Sequence, residues 1–120
     1  MKNMSALSII TDFIRCVNQR DIEKVNSYIS PEIVFTDIQG RVYSEPGFME
    51  NYLRAYPNYK IHINNILRGG GGVAVVGYTT GSHVSPDIEE NELIVWTVEV
   101  RHGLITEWRI YSTEGYAASS

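Results

Sequence analysis

The chain is 120 residues long, 43% hydrophobic and 20% charged, the make-up of one globular domain over 1–120 rather than of a disordered or fibrous chain. Ten Lys and Arg against fourteen Asp and Glu leave a formal charge of −4, which excludes the cationic footprint that nucleic acid or an anionic membrane surface requires. The single cysteine excludes an internal disulfide and fits a reducing, cytoplasmic setting.

The start, MKNMSALSIITDFIRCVNQRD, does not read as a secretory leader, because Asp12 and Arg15 interrupt its short apolar stretch. No apolar run approaches the roughly 20 residues of a membrane helix. Residues 4–19 instead predict an amphipathic helix, with Met4, Leu7, Ile10, Ile14 and Val17 on one stripe that Ile9, Phe13 and Cys16 widen. Asp21 is placed to cap a second helix carrying Ile22, Val25 and Ile29, closed by Pro31. Glu32 to Asp37 reads as a short strand ended by Gln39-Gly40. A third helix is expected from Pro46 to about Tyr56, capped by Ser44 and stopped by Pro57.

The rest has the period of strands. Tyr59, Ile61 and Ile63 alternate with Lys60, His62 and Asn64, and Gly69 to Gly72 then turn the chain. Val73 to His83 predicts a second long strand, Ser85 to Asn91 an acidic loop. Ile94, Trp96, Val98 and Val100 share one face of the next strand. After a tight turn at His102-Gly103, Trp108, Ile110 and Ser112 share one face of the last. Helices followed by an antiparallel meander make an α+β fold, with the N-terminal helices packed on one face of a curved, mostly antiparallel sheet.

Four strings carry a resemblance: NQRDIEKVNSYISPEIVFTD, AYPNYKIHI, VVGYTTGSH and VEVRHGLITEWRIYS. In this order they resemble the nuclear transport factor 2-like superfamily, and within it the SnoaL-like, polyketide cyclase-like branch. The resemblance implies a cone of cystatin-like α+β type, its sheet wrapped around a mostly apolar small-molecule pocket. It also implies a homodimer through the outer sheet face. Members include ketosteroid isomerase, polyketide cyclases, limonene-epoxide hydrolase, dehydratases and non-catalytic binding modules, so fold constrains function poorly.

Asp37 stands where ketosteroid isomerase-like members place the carboxylate that moves a proton. A carboxylate in an apolar cavity is desolvated and becomes a better base. The same residue equally suits a strand-end aspartate that hydrogen-bonds the turn Ile38-Gln39-Gly40. The oxyanion donors of the isomerase are missing, since the matching positions hold Phe13 and, nearby, Trp96. The acid that SnoaL-type cyclases carry on the final strand is replaced by Ser112 and Thr113, with Glu114 adjacent. Arg101 and Arg109 lie on faces opposite the tryptophans and do not supply the epoxide hydrolase set. His83, at the end of a long strand, is either a proton shuttle at a cavity mouth or a surface histidine.

Phe13, Tyr28, Tyr52, Tyr56, Trp96, Trp108, Ile110 and Ser112 are candidates to line a pocket for a small apolar or aromatic molecule. Large aromatics also simply fill cores, so the two readings stand side by side. His62, His83 and His102 have no paired ligand spacing, and Gly69 to Gly72 lacks the context of a phosphate loop; neither metal nor cofactor is implied. Cys16 reads as a core residue. The resulting expectation is proton transfer of isomerase, cyclase, dehydratase or hydrolase type through Asp37, with His83 a partner. Its alternatives are a non-catalytic ligand-binding or dimerisation module, or a protein-interaction module using Ser85 to Asn91.

Overall fold

A computed structural model describes residues 5–45, 47–70 and 72–112. Helix α1 (Ala6–Gln19) begins at Ser5, whose hydroxyl accepts the Ser8 N–H. It buries Ile9, Ile10, Phe13, Ile14, Cys16 and Val17, the stripe read from the sequence; Met4 lies outside the described residues. Arg20 ends the helix in the left-handed region at φ 63°, and the N–H groups of Arg20 and Asp21 return to Val17 and Cys16. Its guanidinium donates to the carbonyls of Val17, Tyr56 and Pro57 at 2.7, 3.2 and 2.7 Å, tying the end of α1 to the segment around Pro57.

Asp21 caps α2 (Ile22–Ser27) by accepting the Lys24 N–H. The helix stops before Pro31, which lies within strand β1 (Ile29–Thr36) instead of closing the helix, and Ile29 opens the strand rather than extending the helical stripe. Between Ile29 and Val34 the pairing of β1 shifts register, so a residue without an N–H interrupts no regular ladder there. After a turn, β2 (Val42–Tyr43) pairs back on β1; two residues are too few to show a period, and the sequence gives no sign of this strand. Helix α3 (Phe48–Ala55) buries Met49 and Leu53. Its N-cap position is Gly47, not Ser44, and Pro46 lies outside the described residues.

Strands β3 (Lys60–Gly69) and β4 (Gly72–Thr80) form a long hairpin. Gly77 faces Ile63 beside a bulge in β3, and a Cβ there would stand 1.9 Å from the His62 carbonyl oxygen. β4 ends at Thr80, so His83 lies beyond it. The segment expected as an acidic loop contains a short helix, α4 (Pro86–Asn91), started by Pro86 in its first turn. β5 (Ile94–Arg101) and β6 (Leu104–Ser112) follow, joined at His102-Gly103, both at positive φ as a tight hairpin turn requires.

The six strands make one sheet in the order β2-β1-β6-β5-β4-β3, antiparallel except for β1 with β6. Its inner face packs on α1 and α2 around a core that includes Phe13, Ile33, Val75, Trp96, Ile105 and Trp108. β3 is an outer edge. There Asn18 of α1 closes on the backbone of Ile61: its amide donates to the carbonyl and its side-chain oxygen accepts the N–H, both at 2.9 Å. No helix among the described residues is long and apolar enough to cross a membrane.

Candidate functional site

Strand directions bring several chain segments to one end of the sheet. β1, β4 and β6 finish there and β5 starts there, because Gly77 pairs with Ile94, Ile94 with Ser112, and Thr36 with Arg109. Asp37, Ser82-His83, Glu92 and Ser112 therefore all leave the sheet at this end. Helix α3 and Tyr43 complete it with a row of rings. Tyr43 stacks on Phe48 with centroids 4.7 Å apart and planes at 13°, and Phe48 stands 6.4 Å from Tyr52 at 27°. Tyr52 also meets Tyr56 at 4.7 Å and, edge-on, Tyr59 at 5.0 Å.

Each end of the row carries a titratable side chain. At one end Asp37 Oδ1 accepts the N–H groups of Gln39 and Arg41 at 3.0 and 2.9 Å, and Oδ2 accepts the Tyr43 hydroxyl at 3.1 Å. The turn is closed further by the Arg41 carbonyl on the Asp37 N–H. At the other end the Tyr52 hydroxyl lies 2.8 Å from His83 Nδ1 and accepts the His83 N–H at 3.2 Å. Burial raises the Tyr52 phenol above its ordinary range, which keeps it protonated and able to donate to Nδ1. Asp37 and His83 share no hydrogen bond; the three rings of Tyr43, Phe48 and Tyr52 lie between them.

The remaining predicted lining residues divide between the interior and the surface. Phe13 and Trp108 touch edge to face at 5.3 Å, and Trp96 lies 6.5 Å from Trp108. All three are at most 2% exposed, so they fill the space beneath the rings. Ile110 is half-buried opposite Trp96, and Ser112 donates its hydroxyl to Glu92 Oε1 at 2.7 Å. Thr113 and Glu114 lie outside the described residues.

Tyr28 is elsewhere: its hydroxyl donates to Asp12 Oδ2 in the groove between α1 and α2. That bond raises the Tyr28 phenol to about 12, and the Tyr28 and Arg15 hydrogen bonds hold the Asp12 carboxyl below its ordinary range. Sequence reasoning missed Tyr43 in the row because its strand is too short to display alternation. It also missed Glu89 and Glu92, which look like ordinary members of an acidic run. Among the described residues no three His, Cys, Asp or Glu side chains converge as a metal site would.

Residues 10–108 match the model of the SnoaL-like domain family. The chain belongs to that family. Among solved structures, this SnoaL-like chain is similar to an NTF2-like protein of unknown function from Cytophaga hutchinsonii. The two superpose with a TM-score of 0.76 at 12% identity, covering 92% of each chain. A candidate polyketide cyclase, IdmH from Streptomyces antibioticus, superposes at 0.70 with 17% identity, over 91% of this chain and 92% of that one. A candidate ketosteroid isomerase from Kribbella flavida gives 0.72 and 16%, over 92% and 79%. At these identities the likeness is one of fold, and the relatives span cyclase and isomerase assignments. No curated protein matches the sequence.

Proposed function

We propose that this SnoaL-like chain is a binding module for a small, flat, apolar or aromatic molecule, held against the ring row Tyr43–Phe48–Tyr52 at the open end of the domain. The observation that carries this reading is the contrast between the two halves of the expected pocket. Phe13, Trp96 and Trp108 are packed on one another, whereas the rings of the row are only partly buried and present hydroxyls at both ends. Stacked aromatic walls with a few polar groups suit a planar ligand. Both Asp37 oxygens are engaged by the turn and by Tyr43, which supports a structural role for that carboxylate within this reading.

The test is a titration of the labelled protein with naphthalene and phenol probes, followed by NMR. Shifts centred on Tyr43, Phe48 and Tyr52 are expected, and Tyr52→Ala should weaken binding about threefold to tenfold, the contribution of one aromatic pair. Probe shifts absent from the row would sink the reading. Proton transfer through Asp37, expected from the sequence resemblance, is a second reading, and the candidate cyclase and isomerase assignments of similar folds are compatible with it. Turnover of a polyketide- or ketosteroid-type substrate that Asp37→Asn abolishes without loss of binding would establish it over the first.

The outer sheet face is proposed as the seat of a homodimer. Leu67 and Tyr111 are 52% and 46% exposed there, and they border an open depression of about 430 Å³ that also includes Ala74 and Thr97. Arg68, Arg109, Glu99 and Glu107 line the same depression, so a second copy placed about a two-fold axis can set each sign of charge against the other. Tyr111→Lys should then halve the mass found by sedimentation equilibrium, and an unchanged mass would refute this interface.

A further inference from the structure

Between β4 and β5 the chain crosses from Gly81 to Leu93. No residue of α4 is buried, and Ile88 is 44% exposed. Hydrogen bonds reach out from the segment to three other elements. His83 engages Tyr52 of α3 through its ring and its N–H. Glu89 Oε2 accepts the Thr79 hydroxyl of β4 at 3.2 Å and also the N–H of Ser82 at its own base, at 2.9 Å. Glu92 accepts the Ser112 hydroxyl of β6. Thus one end of the segment is fastened to the helix layer and the other to the sheet, across the end of the domain where the ring row lies.

Its base is fixed by close approach. Gly81 has φ +71°, and a Cβ there would stand 2.3 Å from the Asn58 carbonyl oxygen, so only glycine lets the chain turn against that loop. A segment with a fixed glycine base, no buried residue in its helix, and fastenings made of side-chain hydrogen bonds and the ring contacts of His83 with Tyr52 and Tyr56 opens at far lower cost than the core beneath it. We infer that Ser82–Glu92 is a hinged lid over the ring row, pivoting at Gly81 and held shut by three side-chain latches, Tyr52–His83, Thr79–Glu89 and Ser112–Glu92. His83 then serves as a latch, and the acidic helix is the lid's solvent face. The inference rests on the binding reading only for what the lid covers; its opening is a property of the free protein.

Native-state hydrogen exchange on the labelled, ligand-free protein tests it. The Ser82, Ile88 and Glu89 amides, hydrogen-bonded to Glu89 and Ser85, are expected to exchange at rates insensitive to low urea. Those of Val75 and Trp96 in the central strands should follow global unfolding. Tyr52→Phe, which keeps the ring and removes the hydroxyl, should speed the lid amides about tenfold, the loss of a hydrogen bond, and leave the central strands unchanged. Ser112→Ala should do the same from the other end. His83→Ala removes the ring with its hydrogen bond and ring contacts but keeps the backbone N–H on the Tyr52 hydroxyl, and it provides a second variant if Tyr52→Phe loosens the whole fold. Lid amides that follow the same urea dependence as Val75 and Trp96 in the wild type would overturn the lid. Failure of aromatic probes to bind would overturn the binding reading and leave the exchange result standing.

Discussion

The tryptophan interior and the ring row are both aromatic, and they are built for different ends. In the interior, Phe13, Trp96 and Trp108 come from α1, β5 and β6 and meet with their planes at 60° and 47°, almost wholly out of water. At the open end, Tyr43, Phe48 and Tyr52 lie nearly parallel, keep part of each ring exposed, and finish in hydroxyls bonded to Asp37 and His83. Dense carbon packing supplies stability and uniqueness, whereas partly open rings with polar ends can exchange neighbours at low cost. Within one small domain the same side-chain class therefore holds the fold in one place and leaves it adaptable in another.

The interior is the more sensitive of the two to substitution. Trp108→Ala should cost about 3–5 kcal/mol, because the side chain is 2% exposed and packs edge to face on Phe13 of α1. Urea denaturation reads this directly, and a loss below about 1 kcal/mol would mean the interior is a cavity rather than a packed core. Asp37→Ala should cost about 1–3 kcal/mol, since it strands two turn N–H groups and the Tyr43 hydroxyl. A stabilised variant would reverse the assignment of Asp37 to the turn. Tyr52→Phe should change global stability by less than about 1 kcal/mol, its bonds being at the partly exposed end.

The smallest effect belongs to a third place, the surface groove of α1 and α2, and is one of pH. Asp12 is held below its ordinary range by Tyr28 and Arg15, so its contribution is complete above the unfolded carboxyl range and disappears as pH falls through the folded value. Tyr28 is raised to about 12, so its contribution is complete below about 10 and disappears as pH rises toward 12. Asp12→Asn should return the Tyr28 absorbance titration toward the ordinary phenol value and flatten both limbs. An unchanged Tyr28 titration would show that the bond is not made in solution.

The regular elements were legible because burial imposes a period. The stripe of α1, the shared parity of Trp96 and Trp108, the cap at Asp21 and the turn at His102-Gly103 each follow from local chemistry. What escaped depended on distant partners. Pro31 reads as a helix stop until the register shift with β6 explains its place in a strand. Tyr28 reads as another pocket aromatic until its hydroxyl is found on Asp12. The acidic run 85–91 gives no helical stripe, because α4 buries nothing and so needs none. Asp37 and His83 were both singled out, yet their separation by a row of rings depends on Tyr43, in a strand of two residues.

The clasp of Asn18 on Ile61 has a consequence for the company the molecule keeps. β3 is a ten-residue border strand with Ile63 and Leu67 39% and 52% exposed, the kind of margin on which a foreign strand can grow. The amide of Asn18 occupies the outward N–H and carbonyl of Ile61 as an added strand would, and Asn65 folds its own side chain onto the Ile66 N–H at 2.9 Å. The bulge between Ile63 and Asn65 breaks the spacing between these two stoppers. An intruding chain thus meets occupied backbone groups at Ile61 and Ile66 and a break in spacing between them, features that work against strand addition while the hairpin keeps its apolar side chains.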